Sequence, residues 1–310
     1  MPARPVSLGE TVLYFRWPVD LQLTVASHGW AYLAPWCWDP EIGRLGRQER
    51  IGNRLGSIEV AQRDPASMFV IWHGFDAAAL PEIQRRVYRW LSADWEPASA
   101  MAALGQDAAL IARGGGRMLR CSSFYEDFVK TVLTINTTWS STCRMAAALV
   151  AEPGEGGFPD PEALLDYGEQ RLRDRAKLGF RAATLISATR SMLADGAIDR
   201  TGDGAPERLD HDYLVGLKGI GPYAAAHCRL LLHDFTRIPV DSAFVAYLQE
   251  RHRCDPAEFV ASRSSWGDYL ALGYRLTRLQ EKLARAVEPA IPVEPADPPP
   301  SPGLPGSCNK

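Results

Sequence analysis

The stretch Tyr213-Leu214-Val215-Gly216-Leu217-Lys218-Gly219-Ile220-Gly221-Pro222-Tyr223 constrains this chain more than any other. Two glycines one residue apart, followed by proline, end any helix that reaches Leu217. Pro222 is tolerated in a first helical turn, so a second helix starts there. The spacing predicts helix, tight turn, helix over 213–227. Gly219 and Gly221 are read as taking backbone angles closed to other residues. Lacking side chains, they also leave N–H groups open to an anion, and those donors plus the helix dipole make a phosphate cradle. The plainer reading is a corner between two helices in any α-rich protein.

Asp241 lies eighteen residues after Tyr223, within Ile238-Pro239-Val240-Asp241-Ser242-Ala243-Phe244. A helix begins there. Asp241 is either an ordinary N-cap or a carboxylate held at a helix start and facing a cleft.

Residues 10–80 read differently from the rest. Leu21, Leu23 and Val25 alternate with Gln22, Thr24 and Ala26, the period of a strand with one buried face. Met68-Phe69-Val70-Ile71-Trp72 suits a buried strand. A small antiparallel sheet is expected, with Trp30, Tyr32, Trp36 and Trp38 read as packing. From residue 81 the pattern is helical: Ile83, Val87, Trp90 and Leu91 recur at helical spacing behind Pro81. Asp107 to Arg113 reads as a second short helix. Phe124, Phe128, Val132 and Ile135 form an apolar face capped by Ser122 or Ser123, and Lys130 reads as a solvated helix residue. Asn136-Thr137-Thr138 breaks that helix before another at Trp139.

The expected architecture is α+β. An N-terminal antiparallel β domain spans 1–80, a mostly α-helical domain carrying the hairpin (213–227) spans 81–287, and a proline-rich disordered tail spans 288–310. No apolar run reaches the roughly 18 residues of a membrane span, and the start lacks a signal-peptide pattern. A cytoplasmic protein is expected, nucleoid-associated in a prokaryote or nuclear in a eukaryote. The six cysteines form no CxxC pair, so no metal or other cofactor is expected. The net charge of −3 does not advertise nucleic-acid binding. A global sum can hide a local basic face, however; Arg171, Arg173, Arg175, Lys177 and Arg181 outnumber Asp174 in one short segment.

Leu217-Lys218-Gly219-Ile220-Gly221 and Val240-Asp241, in this order and separation, resemble the helix-hairpin-helix DNA glycosylase superfamily. That group includes endonuclease III, the mismatch adenine glycosylase, the bacterial 3-methyladenine glycosylase and 8-oxoguanine DNA glycosylase. Gly116-Arg117-Met118-Leu119-Arg120, Phe124, Ile135-Asn136 and Lys177-Leu178-Gly179-Phe180-Arg181-Ala182 are similar to segments of the 8-oxoguanine branch. The likeness covers most of residues 10–287, with 10–80 in the place of that branch's β domain. It implies that Asp241 is the catalytic carboxylate. It implies that Lys218, Gly219, Ile220, Gly221 and Asn136 meet DNA, Asn136 at the base opposite the lesion; Arg181 is a further DNA-contact candidate from the basic segment. Its expected partner is double-stranded DNA with a damaged base, bound by a monomer.

Bifunctional members carry a lysine nucleophile two residues after the second hairpin glycine. Tyr223 occupies that position here and cannot form a Schiff base. The departure implies base removal with water as nucleophile and no lyase step. Lys218, which replaces the usual proline of the turn, belongs to the phosphate-facing loop and is poorly placed to substitute. Alkylated purines such as 3-methyladenine are cationic and labile, and suit an aromatic pocket lined by Tyr223 with Trp139 or Tyr125. The alternatives are an 8-oxoguanine-type glycosylase and a non-catalytic hairpin protein that only binds DNA. Asp241 separates the last of these, because a pure binder has no use for a carboxylate beside phosphates.

Overall fold

The computed structural model describes Leu8 to Val287; the proline-dense segment 288–310 lies outside the described residues. The strands are β1 (Leu8–Tyr14), β2 (Trp36–Asp39), β3 (Arg44–Ile51), β4 (Arg54–Asp64) and β5 (Ser67–His73). They form one antiparallel sheet in the order β1-β5-β4-β3-β2. The register sets Val60 against Val70, Ile58 against Trp72 and Leu45 against Val60. These side chains, with Met68 and Leu13, are buried on one face. Phe69, on the opposite face, is 46% exposed. The apolar run at 68–72 is thus a half-buried strand, not one buried on both sides.

A short helix, α1 (Leu21–Val25), crosses between β1 and β2. The alternation at 21–26 predicts a strand there, and the structure corrects it. Asp20 accepts the Leu23 N–H at 2.8 Å and caps a helical turn. Thr24 is as buried as its apolar neighbours, so the segment has no open face of the kind the alternation implies.

The helices follow the sheet: α2 (Leu80–Trp90), α3 (Ala98–Leu104), α4 (Phe124–Thr134), α5 (Trp139–Ala151), α6 (Pro161–Tyr167), α7 (Glu169–Asp174), α8 (Arg181–Ala194), α9 (His211–Gly216), α10 (Pro222–Leu231), α11 (Ser242–Arg251), α12 (Pro256–Ser262) and α13 (Leu270–Val287). The helix expected at 107–113 is instead two 3-10 turns, Gly105–Ala108 and Ile111–Arg113. Gly105 and Gly114, both at positive φ, bound the segment at its two ends.

Helix α4 is buried from Phe124 to Leu133 and packs against α5, α8 and α10. The sheet leans on the same core, since Trp36 of β2 meets Trp90 of α2 edge-on at 4.9 Å. Ser123 caps α4. Lys130 is not solvated. It is completely buried, with Nζ 2.8 Å from Glu126 Oε1. Periodicity marks which face of a helix is apolar, but a helix surrounded on all sides buries its polar face too. Among the described residues, no helix is long and apolar enough to cross a membrane.

Candidate functional site

Helices α9 and α10 form the hairpin. Asp210 caps α9 and Gly221 starts α10 with Pro222 in its first turn. The two turn glycines answer different demands. Gly219 sits at φ +85°, and a Cβ there would come within 2.6 Å of Thr184 Oγ1. Gly221 is extended, with φ −97° and ψ 176°, so it does not need the special angles expected of it. A Cβ on Gly221 would meet nothing within 4 Å. Ile220 is buried and anchors the turn, its N–H donating to Leu217 O at 3.0 Å, while Lys218 is exposed. Gly219 and Gly221 N–H donate to nothing among the described residues. Gly219→Ala is expected to cost roughly 1–2 kcal/mol from its backbone angle alone, with a further cost from Thr184. Thermal unfolding measures the loss, and a duplex-binding titration measures any distortion of the turn.

Asp241 caps α11, accepting the Phe244 N–H at 2.7 Å through Oδ1. Oδ2 has no partner among the described residues. One oxygen fixes the side chain and the other remains available. Both readings of Asp241 thus apply to one residue, because its carboxylate lies on the wall of a cleft of about 870 Å³. That volume is the size of an ordinary small-molecule site. Tyr223, Asn136 and Trp139 line the same cleft.

Each of these arrives from a different element. Asn136 follows the end of α4 with φ +46°. Trp139 begins α5 and lies over Gly29, where a Cβ would be only 2.5 Å from its ring. Tyr223 stands on the first turn of α10 and stacks on His227 at 6.1 Å. Its hydroxyl is 3.4 Å from Thr134 Oγ1. Burial and then Asp241 raise the Tyr223 phenol, so it remains protonated.

Trp30, His28, His227 and Arg275 also line the cleft, although the sequence singles out none of them for it. Trp30, read as packing, is buried and also lines the cleft, 5.0 Å from the His227 ring. Its Nε1 donates to the buried Asp127 at 2.9 Å, which fixes the indole plane. His28 and Arg275 complete the wall. Burial and the nearby Arg275 hold His227 at about 3, so this ring is neutral. His28 Nε2 and Arg275 Nε have no partner among the described residues. Leaving such donors buried and unpaired costs roughly 1–3 kcal/mol each.

Two candidates lie elsewhere. Tyr125 is 1% exposed and its hydroxyl is 2.8 Å from Thr189 Oγ1, inside the core beside α8. Arg181 opens α8 but points inward, donating to the carbonyl oxygens of Ile135 and Asn136. It therefore holds the Asn136 turn from behind, and Phe180 beside it is 57% exposed. The basic segment is also partly spent internally. Arg173 pairs with Glu169 at 2.6 Å, and Arg171 donates to the Asp166 and Tyr167 carbonyl oxygens.

No family model matches the chain, and no curated protein matches its sequence. Solved structures do match. A 3-methyladenine DNA glycosylase from Archaeoglobus fulgidus superposes with a TM-score of 0.66 at 16% identity, covering 87% of this chain and 98% of that one. An 8-oxoguanine glycosylase/lyase from Clostridium acetobutylicum, in its apo form, gives 0.62 at 12% identity over 90% and 99% of the two chains. The same glycosylase/lyase in complex with double-stranded DNA containing cytosine opposite 8-oxoguanine gives 0.61 at 12%, over 92% and 100%. At these identities the likeness is one of fold: a five-stranded sheet followed by the helical hairpin domain is an architecture these glycosylases share with this chain.

Proposed function

We propose that this chain is a monofunctional DNA glycosylase of base-excision repair. The observation that carries the proposal is one carboxylate oxygen of Asp241, unpartnered, on the wall of a cleft of about 870 Å³ beside the hairpin. The shared fold with glycosylases of two specificities supports it.

The hairpin supplies the grip on DNA. Free amides at Gly219 and Gly221, and open space where a Gly221 side chain would be, suit a phosphate group. Asn136 and Trp139 stand at the cleft and fit the gap left in the duplex when a base is turned out. Extruding a damaged base costs a few kcal/mol, least for a lesion that pairs poorly. The base then lies against Trp30, Tyr223 and His227, whose rings accept the flat face of a purine. As the N-glycosidic bond breaks, positive charge grows on the deoxyribose. The Asp241 carboxylate stabilises it and orients the attacking water.

Lyase chemistry needs an amine. Tyr223 stands where bifunctional relatives of the hairpin family carry lysine, and none of the four lysines among the described residues lines the cleft. This supports release of the base with the strand left intact. The aromatic wall fits either an alkylated purine of the 3-methyladenine kind or an oxidised one.

End-labelled duplexes with single lesions test the reading. After incubation, half of each sample is heated in alkali. Strand breakage only in the heated half is expected. Breakage without alkali would reveal a lyase, and salt-sensitive binding with no breakage would leave only a DNA-binding role.

A further inference from the structure

The unpartnered donors His28 Nε2 and Arg275 Nε belong to residues that line the Asp241 cleft. Ser27 determines what His28 offers. Its hydroxyl oxygen accepts the Leu119 N–H at 3.1 Å and lies 2.9 Å from His28 Nδ1. When that hydroxyl gives its proton to Nδ1, the ring proton sits on Nε2, the tautomer in which His28 offers the cleft a donor. Burial first, then His227 and Arg275, hold His28 well below the ordinary histidine range, so it is a neutral donor. Arg275 is anchored by one arm, Nη1 donating to Ser27 O at 3.2 Å. Its guanidinium keeps its charge in any protein setting. The cleft thus combines a fixed cation and a neutral donor with the Asp241 carboxylate.

Opposite charges in one cleft match one kind of leaving base. When the C1′–N9 bond of a neutral purine breaks, its electron pair goes to the base, which departs as an anion. The sugar becomes cationic; water adds its oxygen to C1′ and loses a proton to Asp241. Asp241 then gives up that proton through solvent and the departing base takes one up, so the carboxylate is restored, one water is consumed and one neutral base is released. A cationic N-alkylated purine departs neutral instead. It also begins with a charge that a neighbouring guanidinium repels. We propose that Arg275, assisted by His28, is the specificity-determining group of the cleft, hydrogen-bonding to the oxo groups of a neutral purine and stabilising its departure as an anion. This rests on the glycosylase reading, and it selects oxo-substituted purines over cationic alkylated ones.

The test is single-turnover base release by the full chain. Substrates are duplexes carrying 8-oxoguanine or hypoxanthine, and duplex DNA methylated with dimethyl sulfate, which presents N7-methylguanine and N3-methyladenine. The wild type is expected to release an oxopurine faster than either methylated base. Arg275→Met is expected to lower the ratio of oxopurine to methylpurine release about a hundredfold, and Arg275→Lys to recover part of it. Binding of each variant to an abasic-site duplex reports whether it is folded. Release of methylated bases but neither oxopurine overturns the specificity and leaves the glycosylase reading standing. Equal loss of both classes in folded Arg275→Met, with no recovery by lysine, assigns Arg275 a structural role and also overturns it. No release of any base by the wild type removes the glycosylase reading itself, and the inference with it.

Discussion

Asp241→Asn is expected to slow single-turnover base release about a thousandfold while the protein stays folded and bound to abasic duplex. The size follows from Coulomb's law: a carboxylate about 4 Å from a developing cation, at an effective dielectric near 20, contributes about 4 kcal/mol. That is roughly three powers of ten in rate. The substitution is informative because Asp241 also caps α11. Asparagine caps a helix about as well as aspartate, so the variant removes the charge and keeps the cap. Asp241→Ala removes both, adding about 1 kcal/mol of lost stability. Duplex binding is expected to hold or strengthen in either variant, since a negative charge beside phosphates is gone. A folded Asp241→Asn protein within tenfold of the wild-type rate would exclude Asp241 from the chemistry.

The parts of this site that the sequence discloses are those encoded locally. Gly219, Gly221 and Pro222 punctuate a turn within four residues, and Val240-Asp241 marks a helix start. The cleft wall is assembled otherwise. His28 and Arg275 are separated by most of the chain and meet only because α13 returns past α1 to donate to Ser27. No periodicity records that approach. Tyr125 illustrates the converse. Its helix is visible from spacing, but which neighbour its ring faces is set by where α8 docks. Arg181 was legible as basic, and only the path of Ile135 and Asn136 shows that its charge is spent on their carbonyls. At 21–25, alternation outweighed the capping residue Asp20, the local signal that would have called for a helix.

A buried charge cluster joining β3 to α4 has the other large expected effect. Arg47 and Glu49 of β3 face inward, where Arg47 Nη2 reaches Glu126 Oε2 at 2.7 Å and Arg47 Nε reaches Glu49 Oε1 at 2.7 Å. Lys130 Nζ contacts the other Glu126 oxygen at 2.8 Å. Glu126→Gln strands the buried Lys130 and leaves Arg47 with Glu49 alone; it is expected to cost about 3–5 kcal/mol. Burial alone would raise the Glu126 carboxyl; Arg47 and Lys130 outweigh it and hold it at about 2. The folded value lies below the unfolded one of about 4.3, so Glu126 contributes stability that is complete above about 4.3. That contribution disappears as pH falls through about 2. Urea midpoints of wild type and Glu126→Gln should therefore differ fully at pH 7 and converge between about pH 4.5 and 2. A gap independent of pH would mean that Glu126 is not held ionised by its neighbours. Glu126→Leu combined with Lys130→Met removes the pair together and leaves Arg47 with Glu49. It is expected to recover most of the loss, because the large cost belongs to a charge left without its partner rather than to the pair itself.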